Sequence, residues 1–181
     1  MHRYRSALHA MLQQRSNGAL GAVTWEVSRG SGIHIHWQFL PVPADLIKRG
    51  LVDAAFKVEA ENLNYPKFER PSATADPSSE PGDFFRLWIW EPAAETENPE
   101  ESDGAAATTK GTTTGTETTL LLPLGAEFRF DIQFGRRVMA KLMELENRMN
   151  WRDGVQSQEE EEADAAAFKE AFKEFDFSLQ E

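Results

Sequence analysis

The chain has 181 residues, no cysteine and a formal net charge of −11. The absence of cysteine removes disulfides, zinc–thiolate sites and cysteine catalysis, and it fits a reducing intracellular compartment; the charge argues against a broadly basic nucleic-acid binder. An apolar content of 40% with 12 Phe suffices for a core, while no apolar run reaches the ~18 residues of a membrane span.

Residues 3–16 carry Ala7, Leu8, Met11 and Leu12 at helical spacing and predict a helix. Met1-His2-Arg3-Tyr4-Arg5 is not followed by a signal-peptide core. Gly18 and Gly21 break the pattern. Ala22 to Ser28 alternates β-branched and aromatic residues and predicts a strand. Arg29-Gly30-Ser31-Gly32 is turn chemistry, so Ile33 to Leu40 is expected to return as the second strand of a hairpin. Pro41 and Pro43 are expected to end that strand, because proline gives no donor to a sheet ladder. From Ala44 to about Leu63, Leu46, Ile47, Leu51, Ala54, Ala55 and Val58 form the apolar face of a helix.

The stretch 71–82 is rich in Pro, Ser, Ala and Asp and is expected to be a loop. Phe84 to Trp90 predicts a strand. Residues 92–119, low in complexity, lack the apolar surface to offset ordering and are expected to be disordered. Leu120 to Leu124 resumes a strand, which can pair with the one before the insert as a hairpin with an overgrown loop. Helices are expected from about Gly135 to Met149 and from about Gln158 to Phe175. In the last helix Phe168, Phe172 and Phe175 form a packing stripe, and the acids at its start suit the positive end of the helix dipole.

The stretch with most chemistry is His34-Ile35-His36-Trp37-Gln38. On a strand, alternate side chains share a face, so His34, His36 and Gln38 lie opposite Ile33, Ile35, Trp37 and Phe39. Imidazoles on such a face can act as nucleophiles, proton-transfer groups or metal ligands, or serve as hydrogen-bonded structural histidines. No cysteine, further histidine or neighbouring carboxylate completes a metal set, so no metal and no cofactor is expected. Much of the acid sits between Glu95 and Asp103 and between Glu159 and Glu162. Arg29, Lys48, Arg49, Lys57, Lys67, Arg70, Arg86, Arg136 and Arg137 lie between these runs, either as scattered solvated charge or as a local basic face.

The histidine strand, preceded by Trp25-Glu26-Val27-Ser28-Arg29 and followed by Pro41-Val42-Pro43, resembles the histidine-triad-like domain of the CwfJ family. Independently, Phe130-Asp131-Ile132-Gln133-Phe134-Gly135-Arg136-Arg137-Val138, Asn150-Trp151-Arg152-Asp153, the acidic run and the terminal Phe175-Asp176-Phe177 resemble that family's second C-terminal domain. The resemblance spans nearly the whole chain except the insert. It implies an α+β chain in two parts: a partial histidine-triad-like unit (helix, β-hairpin, helix) at 1–64, and a small α+β domain at 65–181. The metallophosphoesterase-like domain and the first half of the triad-like domain that such proteins usually carry are absent from this sequence. That start favours a fragment of a longer chain over a shortened paralogue. It is expected to leave strands of residues 1–64 unpaired and that unit marginally stable.

The resemblance implies a nuclear, splicing-associated RNA-processing factor of the branch associated with the lariat debranching enzyme. Its partners would be that enzyme and spliceosomal or lariat RNA, with no membrane. By the match to histidine-triad proteins, His36 would be the nucleophile, His34 its neighbouring support and Gln38 a donor to a phosphate oxygen. Gln38 replaces the third histidine of a hydrolase-type triad and the half-pocket is missing, so an accessory to the debranching enzyme is favoured over a nucleotide hydrolase or transferase. As an RNA-binding module, the chain would use Trp88 and Trp90 for stacking and Arg86, Arg136 and Arg137 for phosphates. As a protein-interaction scaffold, it would present the terminal phenylalanine stripe.

Overall fold

A computed structural model of the chain describes residues 2–30, 37–71, 82–93, 115–125 and 127–179. It is α+β. Helix α1 (His2–Ser16) leads into β1 (Leu20–Ser28); β2 (Gln38–Pro43), α2 (Ala44–Lys48) and α3 (Leu51–Asn62) follow. The second half holds β3 (Phe84–Glu91), β4 (Thr116–Pro123), α4 (Phe134–Leu142) and α5 (Gln158–Phe172), with 3-10 turns at Glu146–Arg148, Trp151–Gly154 and Phe177–Leu179. The four strands make one antiparallel sheet in the order β2-β1-β3-β4. The expected hairpin flanking the insert is present: Phe84 faces Pro123 and Glu91 faces Thr116. β4 begins at Thr116, which corrects the expectation of disorder up to residue 119, because its β-branched threonines suit an extended ladder; residues 94–114 of that expected insert lie outside the described residues.

The chain passes residue 64 between α3 and β3. Strands from either side pair directly, Ala22 with Trp90 through to Ser28 with Phe84. The expectation of unpaired strands in the first unit is therefore corrected for β1, which is covered on both sides. At the β2 edge the prolines do not end the strand: Pro41 lies opposite Ala22 and Pro43 opposite Leu20. They are two residues apart and share one parity, and a proline nitrogen is tolerated where it points to the open side of an edge strand. At the other edge, Glu69 exchanges backbone hydrogen bonds with Leu121 at 2.7 and 2.8 Å.

One sheet face carries Val23, Trp25 and Val27 with Phe85, Leu87, Ile89, Leu120 and Leu122, and it forms the main core with α2, α3 and α4. Phe56 of α3, Phe85 of β3 and Phe134 of α4 meet with ring centroids 5.3–5.9 Å apart, and none is more than 1% exposed. The opposite face is covered by α1, through Leu12 against Ala22 and Trp90.

Three helix boundaries differ from the spacing. The helix expected over 44–63 is two helices, broken at Gly50, whose φ of 69° suits glycine. α4 stops at Leu142, and Glu144 at φ 57° turns the chain into the 3-10 segments. α5 stops at Phe172 and starts with a reciprocal Ser157–Glu160 capping box. Ser157 hydrogen bonds, backbone first, hold the Glu160 carboxyl below its usual range. Of the expected phenylalanine stripe, Phe172 is buried, Phe175 is half-buried and Phe168 is exposed.

Candidate nucleotide-binding cavity

His34 and His36 lie outside the described residues; Gln38, the third member of their set, opens β2. Gln38 is in register with Trp25, which places it on the α4 side of the sheet. Phe39 pairs with Thr24 and turns to the α1 side. The alternation read from the sequence therefore holds across Gln38 and Phe39.

Gln38 lines a cavity of about 470 Å³ between β1–β2 and α4. Trp25, Leu40, Met139 and Met143 provide apolar walls, and Arg136 and Arg148 also line it. Arg136 stands in the first turn of α4, where the helix dipole adds positive potential. One of its nitrogens donates to the Arg148 carbonyl at 3.1 Å, which ties the two arginine-bearing segments together. Among the described residues Arg5, Arg29, Arg49, Arg86 and Arg137 each pair with a carboxylate, whereas Arg136 and Arg148 pair with none. In a chain of net charge −11 these two are a local positive pair beside apolar walls.

The Gln133-Phe134-Gly135-Arg136 segment builds this arrangement. Gln133 accepts from the Trp151 backbone at 3.3 Å, and Phe134 enters the core. Gly135 lets α4 settle on the Trp25 indole: a Cβ there would lie 2.6 Å from ring atoms. Arg136, one residue on, is thereby delivered to the cavity. Arg137 points elsewhere and binds Asp131 at 2.8 Å.

The other predicted RNA contacts sit on the opposite face. Arg86 is 3.3 Å from Glu26, and Trp88 and Trp90 are 5% and 4% exposed beneath α1. Base stacking on either indole would require α1 to move. Their partners come from α1 itself. The Arg5 guanidinium lies 4.1 Å from the Trp88 ring centroid and pairs with Glu117 at 2.9 Å. His9 stacks on Trp90 with centroids 4.5 Å apart and planes 6° from parallel. Glu26 accepts from Trp37 Nε1.

This second layer is electrostatically costly. Burial, with the Arg5 charge nearby, lowers the His9 pKa to about 4. Burial lowers Arg5 against the attraction of Glu117 and Glu26, and raises Glu117 against that of Arg5. Arg5 Nη1, His9 Nε2 and Thr24 Oγ1 are buried without a hydrogen-bond partner among the described residues.

The sequence brings forward Gln38 and Arg136, and the fold places them at one cavity. It does not single out Trp25, Met139, Met143 or Arg148 as site residues. A glycine beside an arginine at a helix start was the available signal for the Trp25 contact. Arg148 offered none, because it lies in a 3-10 turn that helical periodicity does not reveal.

A family model described as "Protein similar to CwfJ C-terminus 2" matches residues 96–178. CWF19-like protein mug161 of Schizosaccharomyces pombe is 32% identical over 178 residues, which cover 98% of this chain and 26% of that protein. CWF19-like protein DRN1 of Saccharomyces cerevisiae is 24% identical over 161 residues, 88% of this chain and 30% of that protein. Zinc finger CCCH domain-containing protein 64 of Arabidopsis thaliana is 49% identical over 47 residues, 26% of this chain and 8% of that protein. The chain thus spans between a quarter and a third of the two yeast relatives. With the fold and the Gln133–Arg136 segment described, the chain is a member of the CwfJ family, the CWF19-like proteins.

Proposed function

We propose that this chain is a splicing-related RNA-processing factor that acts in the nucleus as an accessory to intron-lariat debranching, contacting RNA and the debranching enzyme rather than catalysing turnover itself. Family membership supports the splicing assignment. The observation that carries RNA contact is the meeting of Gln38 with Arg136 and Arg148 at one cavity, with neither guanidinium neutralised by a described carboxylate. Arginine binds phosphate through a planar, two-pronged donor set, and phosphate contacts supply most of the affinity in nucleic-acid complexes. Gln38 follows His34 and His36 at alternate positions in the sequence, so a phosphate held at Gln38 is adjacent to the histidine motif in sequence.

The test is cleavage of a branched RNA by a lariat debranching enzyme, with and without this chain, using His36→Ala and Arg136→Ala in parallel. Stimulation that both substitutions reduce is the expected result. Absence of stimulation from the folded chain contradicts the accessory role. Stimulation that survives both substitutions moves the working surface to the second reading, protein docking through α5, which the exposure of Phe168 favours.

A further inference from the structure

We infer that Trp151 is the side chain on which a base of single-stranded RNA stacks, its indole presented by the 3-10 turn Trp151–Gly154 beside Arg148 and Arg152. This rests on the RNA-contact reading above and adds the stacking group that the arginines by themselves do not supply.

Of the five tryptophans, Trp151 alone is exposed, at 51%. Trp25, Trp88 and Trp90 are buried, and Trp37 is half-buried against Trp88 with its Nε1 on Glu26. Stacking needs an open ring face, and Trp151 offers one without any movement of the fold. Its ring belongs to neither hydrophobic cluster among the described residues. The Arg152 guanidinium stands 4.9 Å from the ring centroid. A cation on one face and a base on the other are attractions that an indole makes together.

Three hydrogen bonds fix the turn that carries the ring. The Asn150 side chain accepts from the Arg152 N–H at 3.2 Å, and the Asn150 carbonyl accepts from the Asp153 N–H at 3.1 Å. The Trp151 N–H donates to Gln133 Oε1 at 3.3 Å, which anchors the turn to the start of α4, three residues before Arg136. The Arg148 side chain lies along Gly154, where a Cβ would be 3.3 Å from a guanidinium nitrogen. Arg136, Arg148 and Arg152 are thus gathered around one exposed indole. Among the described residues none of the three pairs with a carboxylate, although Glu146 and Asp153 share the two 3-10 segments. Phosphates on arginines with bases on an aromatic ring is the chemistry of single-strand recognition. The Asn150-Trp151-Arg152-Asp153 segment acquires in this way a role that core packing does not give it.

The experiment titrates the whole chain with two probes: a short oligoadenylate, and a ribose-phosphate oligomer of the same length that lacks bases. The wild-type chain is expected to bind oligoadenylate about tenfold more tightly than the abasic oligomer, the scale of one stacked base. Trp151→Ala should remove that preference and leave the abasic affinity unchanged. Trp151→Phe should restore most of it, while the quenching of protein fluorescence by oligoadenylate is lost with the indole. Circular dichroism of each variant checks the fold.

If oligoadenylate binds wild type and Trp151→Ala equally, RNA contact through the arginines stands and the stacking assignment is overturned. If Trp151→Ala weakens both probes alike, the ring supports the surface rather than a base, and the assignment is again overturned. If wild type binds neither probe, the RNA reading fails and the assignment with it. Ile132 and Val155 are also exposed, next in sequence to Gln133 and Gly154, so an acidic peptide is titrated as well. A peptide that depends on Trp151 where oligoadenylate does not would give the turn to a protein partner and overturn the assignment.

Discussion

Gly135 lies directly against the indole of Trp25, so close that a Cβ on the glycine would come within 2.6 Å of the ring. One contact, between residues 110 positions apart, sets the distance of α4 from the sheet and so shapes the cavity. Gly135→Ala therefore forces a buried tryptophan or a helix to shift. The expected cost is about 1–3 kcal/mol of folding stability, the range for overpacking a well-filled core. Urea denaturation checks it, and an unchanged midpoint would mean that α4 yields freely.

Phe56, Phe85 and Phe134 join α3, β3 and α4 in one core. The chain is expected to unfold in a single transition seen alike by tryptophan fluorescence and far-ultraviolet circular dichroism. Phe56→Ala should lower stability by about 3–5 kcal/mol and retain that coincidence. Two separated transitions would contradict a core shared across residue 64.

His9 is neutral in the folded chain, with burial holding its pKa near 4. Between that value and the ordinary 6.5, the unfolded chain binds a proton that the folded chain does not. Stability from this group therefore falls as pH drops from about 6.5 to about 4, by at most about 3 kcal/mol at 1.36 kcal/mol per pKa unit. The raised pKa of Glu117 works in the opposite direction just above its ordinary range. His9→Phe keeps a ring on Trp90 and removes both the titration and the unpartnered Nε2. It should flatten the pH dependence in this window and add about 1 kcal/mol at neutral pH, measured by thermal melts at pH 4.5, 5.5 and 7.

Pro41 and Pro43 occupy the outer strand of the sheet. Replacing both with threonine supplies outward N–H groups to an otherwise blunted edge and should promote strand-to-strand association. Sedimentation velocity is expected to show concentration-dependent oligomers in the variant. A variant as monodisperse as wild type would mean that another feature protects this edge.

These sites also mark what a linear reading reaches. Alternation in Ala22–Ser28 and Phe84–Trp90 and the apolar run at Leu120 reveal local extended structure, and the strands around the insert pair as that reading anticipates. Pro41 and Pro43 mislead because the rule against proline in a sheet lapses on an edge strand, and edge position depends on the whole topology. Gly50 and Glu144 break helices by backbone conformation that periodicity does not register. At the cavity, Gln38 and Arg136 are chemically conspicuous in the sequence. Trp25, Met139 and Met143 look like ordinary core residues, and only the α4–β1 contact turns them into walls. Arg5 and His9 lie outside the apolar set Ala7, Leu8, Met11 and Leu12 read from the first helix, and are buried because Trp88 and Trp90 provide an aromatic floor beneath them.

The most direct measurement of the central claim, that Arg136 and Arg148 hold RNA phosphates, is the salt dependence of binding to a single-stranded oligoribonucleotide. Wild type and the double variant Arg136→Ala/Arg148→Ala would be titrated over several salt concentrations. Loss of two phosphate contacts predicts weaker binding and a slope of log K against log salt shallower by about 1.4, at about 0.7 per contact for single strands. Equal affinity and equal slope in the folded variant would contradict the claim.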